Sequence, residues 1–131
     1  MIQMDTTIQS YFRDLQSEDK NAQYEAFNAI MAVTKGEVDW AYDVWDQLKV
    51  NLTDSNNHQR SRSAQFLCQL AKSDPEKRML EDFSAVWEVT KDKKFVTARH
   101  TLQAIWRIGL AGVEQKEMLT KSLVDRFVNG T

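Results

Sequence analysis

Apolar residues recur along this chain at two nested intervals, and together the intervals leave few folds open. Within segments they fall three and four residues apart, the spacing that lines one face of an α-helix. Between segments they return after 37 residues, as Leu15, Leu52 and Val89 do, which is the length of a unit made of two helices and their turns. Other sets fall near the same step: Phe27 with Ala64 and Leu102, Ile30 with Leu67 and Ile105, Val33 with Leu70 and Ile108. Lys77-Arg78-Met79-Leu80 is echoed by Lys116-Glu117-Met118-Leu119, and Val44-Trp45 by Val86-Trp87. A hairpin of two amphipathic helices cannot bury its apolar face alone, so such units stack and share one core.

Helix start and stop signals divide the chain in the same way. A short capping helix is expected from Thr7 to Leu15. Ser17 is placed to cap the next, which carries Tyr24, Phe27, Met31 and Thr34 on one face and ends at Gly36. Another opens near Val38, with Val38, Ala41, Tyr42, Trp45, Leu48 and Leu52 on its apolar side. Asp54 caps a helix whose arc of Ala64, Leu67, Cys68 and Ala71 is widened by Phe66 and Leu70. So wide an arc predicts burial between two neighbours, leaving His58, Arg62, Gln65 and Gln69 on a narrow wet side.

Asp74-Pro75-Glu76 is the sharpest start signal, because proline at a first helical position loses nothing by lacking an N–H. It opens a helix that buries Met79, Leu80, Phe83, Val86, Trp87 and Thr90. Asp92 caps the next, with Phe95, Ala98, Leu102, Ile105 and Trp106 on one face and Lys93, His100, Gln103 and Arg107 opposite, until Gly109-Leu-Ala-Gly112 breaks it. A last helix runs from about Val113 to Val128 around Leu119, Leu123 and Phe127, and Asn129-Gly130 stops it. Trp40, Trp45, Trp87 and Trp106 are expected to fill the space between units, with Trp40 partly exposed because it lies off its helix's apolar face.

Two stretches carry a family pattern: Asp54 followed by Arg60 or Arg62, Ala64 and Leu67, and Asp92 followed by Arg99, Leu102 and Ile105. Through them the chain from Ser17 to about Val128 resembles the HEAT-repeat family of armadillo-like proteins. The first unit lacks the arginine, and no unit carries the proline usual in the family's first helix. The resemblance implies an all-α fold, a right-handed α-α superhelix or solenoid of about three HEAT-like helical hairpins with roughly six to seven helices. At 131 residues, positions 1–131 read as a single domain.

Composition narrows the chemistry. The formal net charge is −2 at pH 7, too small to draw the chain to nucleic acid or an anionic membrane by its overall field. The single cysteine, Cys68, excludes an intramolecular disulfide, and its place on the core stripe makes it a weak nucleophile. Met1 to Thr7 lacks a basic and an apolar leader region, no apolar run approaches a membrane span, and a cytoplasmic location is expected. His58 and His100 fall on different helices with no partner at metal-ligand spacing. No nucleophile elbow, phosphate loop or dinucleotide fingerprint occurs. The expectation is therefore no catalytic residue, no metal and no cofactor.

Charge divides between the two helices of each unit. First helices lean basic through Arg60, Arg62, Lys72, Lys93, Lys94, Arg99 and Arg107, while second helices lean acidic through Asp39, Asp43, Asp46, Glu81, Asp82 and Glu88. In HEAT-like stacks second helices usually line the concave surface, so the resemblance implies a mildly acidic groove suited to a basic peptide or helix. The leading expectation is a non-enzymatic protein–protein interaction or scaffold module that uses Asp39, Asp43, Asp46, Glu81 and Glu88. The alternative, implied by likeness to HEAT-like DNA alkylation-repair proteins, is nucleic-acid binding through Arg62, Lys93, His100 and Arg107. Self-association is a third, since Met118, Val124 and Val128 lie off the last helix's main stripe.

Overall fold

A carboxylate or amide oxygen near the start of most helices takes up amide protons that the helix itself cannot satisfy. The computed structural model describes residues 5–130, so Met1 to Met4 of the segment expected to lack a leader lie outside the described residues. Every regular element among them is helical: α1 (Thr6–Asp14), α2 (Lys20–Val33), α3 (Ala41–Asn51), α4 (Asn57–Leu70), a 3-10 turn (Ala71–Ser73), α5 (Met79–Val89), α6 (Phe95–Ala104), α7 (Trp106–Gly109) and α8 (Val113–Asn129). Only Ile105 separates α6 from α7, so the two continue one rod with a break.

Ser17, Asp54 and Asp92 were expected as caps, and each stands two residues too early. Their side chains accept from the amides of Asp19 (3.0 Å), Asn56 (2.8 Å) and Lys94 (2.8 Å), and it is these latter residues that precede α2, α4 and α6. Asp19 and Asn56 then cap in their own right, accepting from Asn21 and His58 at 2.9 Å. Asp74 acts at a longer reach. Its carboxylate accepts from the amides of Arg78 and Met79, both at 2.8 Å, so α5 begins at Met79 and not at Pro75. The left-handed Lys77 (φ 55°) forms the turn between them and keeps helical geometry from starting at the proline.

The core is organised around α4, which packs against α2, α3, α5, α6 and α7. Nine of its fourteen residues are buried, including Arg60, Ser61, Ser63 and Gln69, so its polar side chains must find partners within the fold. Several of those partners lie one unit away along the chain, whereas Ser61 accepts from Gln65 within α4 and the Gln69 amide oxygen is left unpartnered. Arg62 donates to Gln23 (2.9 Å), Gln69 to Met31 O (2.8 Å) and Thr34 Oγ1 (2.5 Å), and Asn57 to Thr97 (3.3 Å), at separations of 35 to 40 residues. Gln69 is therefore a core residue and not part of a wet side, because α2 covers it. Between the acidic helices, Trp45 Nε1 donates to Asp82 at 2.8 Å, a step of 37. Arg126 of α8 donates to Thr90 at the end of α5, a step of 36.

Aromatic placement follows this packing. Trp45 is fully buried, and Trp40 is buried as well, edge-on to Phe12 with ring centres 5.7 Å apart. The first helix supplies the cover for Trp40 that its own helix lacks. Trp87 is partly buried and stacks on Phe83. Trp106 breaks the expectation at 51% exposed. Cys68, 38 residues earlier, is fully buried where α6 and α7 cover α4. Among the described residues no first-type helix beyond α7 covers Trp106. Phe95 and Phe127 are exposed at the same end of the chain, and Tyr24 is exposed on α2.

The ion pair of Arg60 with Asp92 is the most buried in the structure's described part: Nε to Oδ2 is 2.6 Å and the side chains are 10% and 8% exposed. Arg60 also donates to the carbonyls of Asp54 and Ser55, so one guanidinium ties together both turns that lead into α4 and α6. Its hydrogen bonds hold the Asp92 carboxyl below the usual carboxylate range. Asp92 therefore stabilises the fold fully above the unfolded carboxyl value of about 3.9, and that contribution is lost as pH falls through the lower folded value. Asp92→Asn should cost about 2–3 kcal/mol in urea unfolding at pH 7, because it leaves Arg60 buried without its counter-charge. The difference between the two proteins should shrink at pH 3, and equal midpoints at pH 7 would refute the role.

Candidate functional site

A cleft of about 750 Å³ runs across the first-type helices α2, α4 and α6. Lys20, Tyr24 and Phe27 line it from α2, His58, Arg62 and Gln65 from α4, and His100 from α6. No carboxylate lines it among the described residues. The register of the units creates this alignment: Tyr24, Arg62 and His100 follow one another at steps of 38, as do Lys20 and His58. Lys20 with Tyr24 and His58 with Arg62 are each one helical turn apart, so each pair shares a face.

Arg62 is the distinctive group. It is partly buried, its Nη2 bonds the Gln23 amide oxygen and its Nη1 reaches Leu15 O at 3.5 Å. Among the described residues it has no carboxylate partner, whereas Arg60 pairs with Asp92 and Arg78 with Glu76. Desolvation lowers its pKa from the ordinary guanidinium value, with nothing opposing. A cation held partly out of water without a counter-ion is costly unless an anion arrives. Across the mouth, Gln59 Nε2 donates to Gln16 Oε1 at 2.8 Å, so amide groups rim the cleft.

Of the four residues expected to face a nucleic acid, the structure brings only Arg62 and His100 together. Arg107 lies over the Trp106 ring, 4.4 Å from its centre, and neither it nor Lys93 lines the cleft. The five expected acidic residues are all exposed, but they do not converge. Asp46 and Glu81 share one depression with Glu76 and Asp82 and with Lys49, Lys77 and Arg78, so three cations offset most of its acidic charge. Asp43 lines a second and Asp39 a third, and Glu88 lines neither these nor the cleft. Lys49 moreover bridges to Asp82 at 2.9 Å, interrupting the acidic face. Sequence reasoning missed Tyr24, assigned to the core, and Lys20 and His58, although the 38-residue step and the one-turn spacing both mark them.

Other reactive groups serve the fold. Tyr42 donates to Asp74 and accepts from the amide of Glu76 at 2.8 Å, and burial followed by its bond to Asp74 pushes its hydroxyl up to about 12. Among the described residues no group of three or more His, Cys, Asp or Glu side chains is placed to hold a metal ion, and no helix is long and apolar enough to cross a membrane. Cys68 is fully buried, and desolvation raises its thiol to about 12. Iodoacetamide at pH 8 should therefore leave the folded protein unmodified and label it only in urea. Fast labelling of the native chain, read by mass spectrometry, would contradict this placement.

No family model, curated protein or solved structure matches the chain, so its role rests on the chemistry of the cleft.

Proposed function

We propose that this chain is a non-enzymatic interaction module, a HEAT-like right-handed stack of about three helical hairpins that holds a partner protein in the cleft across its first-type helices. The stack is supported by the hydrogen bonds that join positions 35 to 40 residues apart on α2, α4 and α6. The observation that carries the binding role is Arg62, a partly desolvated cation with no counter-charge, in a cleft lined by aromatic and amide groups. A photo-reactive residue at Gln65, on the cleft, should cross-link a partner in the host cell, while the same residue at Lys116 of α8 should not. Equal cross-linking from both positions, or none from either, would end the proposal.

A second reading has its own observation. Phe95 (73% exposed), Trp106, Leu110 (74%), Val124 and Phe127 expose apolar surface on the last unit, where a further unit would pack in a longer array. Val124 and Val128 are exposed as the sequence led one to expect, while Met118 is partly buried against the core. Copies of the chain associating through this end would cover that surface. Static light scattering from about 5 to 500 μM should then show mass rising with concentration in the range of weak self-association. A constant monomer mass throughout would exclude it.

A further inference from the structure

We infer, on the reading of the cleft as the partner-binding surface, that its ligand is an acidic peptide segment of the partner protein, anchored by a carboxylate on Arg62. The formal charge facing the cleft is positive only, from Arg62 and Lys20, with two imidazoles beside them and no carboxylate among its described lining residues. Elsewhere the charged depressions are mixed, apart from the shallow one at Glu37 and Asp39, which is acidic and would suit the opposite kind of ligand. The Asp46 and Glu81 depression contains Lys49, Lys77 and Arg78, and the depression beside α8 sets Glu37, Asp74 and Glu114 against Lys72 and Lys77. Charge complementarity therefore fits this cleft to an anionic ligand.

The guanidinium is also held ready for such a ligand. Gln23 is fixed by its own donation to the Ser17 carbonyl, and its amide oxygen then orients Arg62 Nη2. A guanidinium has five N–H donors, and a carboxylate takes two of them side by side. Tyr24, 68% exposed, and Phe27 flank the cation on α2 and offer a packing surface for an apolar residue next to the carboxylate. Gln16, Gln59 and Gln65 at the rim supply both donors and acceptors, which suits a peptide backbone.

The number of cations decides between a peptide and a nucleic acid. A single strand presents one phosphate per nucleotide along its length, and binding it takes a track of Lys and Arg. This cleft offers one arginine and one lysine, in a chain of net charge −2, while Lys93 and Arg107 lie outside its lining. That suffices for one or two carboxylates and not for a phosphate backbone.

The test is a selection of random twelve-residue peptides displayed on phage against the full chain, followed by fluorescence anisotropy of the recovered peptides. Asp and Glu should be enriched next to an aromatic or aliphatic residue. Arg62→Gln should weaken the selected peptide at least tenfold, and Lys116→Gln should leave it unchanged. Arg62→Gln should at the same time leave the thermal midpoint within about 2 °C of the parent, because the ion it removes is uncompensated in the free protein. Recovered peptides without acidic residues, or acidic peptides that bind Arg62→Gln equally well, would overturn the inference and leave the interaction module standing. No enrichment at all would sink both. A labelled ten-residue oligothymidine that binds through Arg62, with no acidic peptide recovered, would replace the peptide with a nucleic acid.

Discussion

A helix buried on nearly all sides can still carry polar groups if its longest ones find partners in neighbouring units, and α4 leans on that condition. Its apolar residues, Ala64, Phe66, Leu67, Cys68 and Leu70, would pack acceptably in several registers, since apolar contact is not directional. Its polar ones would not. Arg60 reaches Asp92 only when α6 starts where it does, Gln69 reaches Met31 and Thr34 only at the end of α2, and Asn57 meets Thr97 only with α6 alongside. A shift by one residue would strand a guanidinium and an amide in the core, a penalty of several kcal/mol against a total stability of about 5–15 kcal/mol. The apolar stripe drives the stacking, and the polar ties select its register.

This division of labour explains what could be read in the chain beforehand. Ile30, Leu67 and Ile105, one unit apart, are all buried, as are Leu15, Leu52 and Val89, because core positions repeat wherever the helix pairs repeat. Cap residues were legible in kind but displaced by two positions. Ser17, Asp54 and Asp92 bond the amide of the true cap, and side chains of these types favour both arrangements, so composition alone does not separate them. Tyr24, Phe95, Trp106 and Phe127 continue helical spacing into positions that no neighbour covers. Periodicity reports a face of a helix, and only the neighbouring elements decide whether that face is buried.

The cleft was half legible for the same reason. Arg62 and His100 were recognisable as charges on one row of first helices, but whether a row is flat, filled or hollow depends on side chains from both neighbours. Between α2 and α4 the row sinks into a cavity where Lys20, Tyr24 and Phe27 meet His58 and Arg62. On the acidic side the carboxylates are divided among separate shallow depressions, and Lys49 crosses to Asp82 within one of them. Sign of charge could be assigned from sequence, whereas concavity is a property of three helices at once.

Arg60 and Arg62 show how one helix can serve both fold and recognition. Two residues apart at 3.6 residues per turn, they point about 200° away from each other around the axis. Arg60 turns toward the α6 side, where Asp92 neutralises it and two turn carbonyls use its remaining donors. Arg62 turns toward α2, where it meets only a neutral amide and a distant carbonyl. The first arrangement lowers the free energy of the folded chain by itself. The second leaves a desolvation cost that an incoming carboxylate can relieve, so part of the binding free energy is already stored in the unoccupied fold. Because Gln23 and the turn at Ser17 hold the guanidinium in place, little ordering remains to be done when the anion arrives.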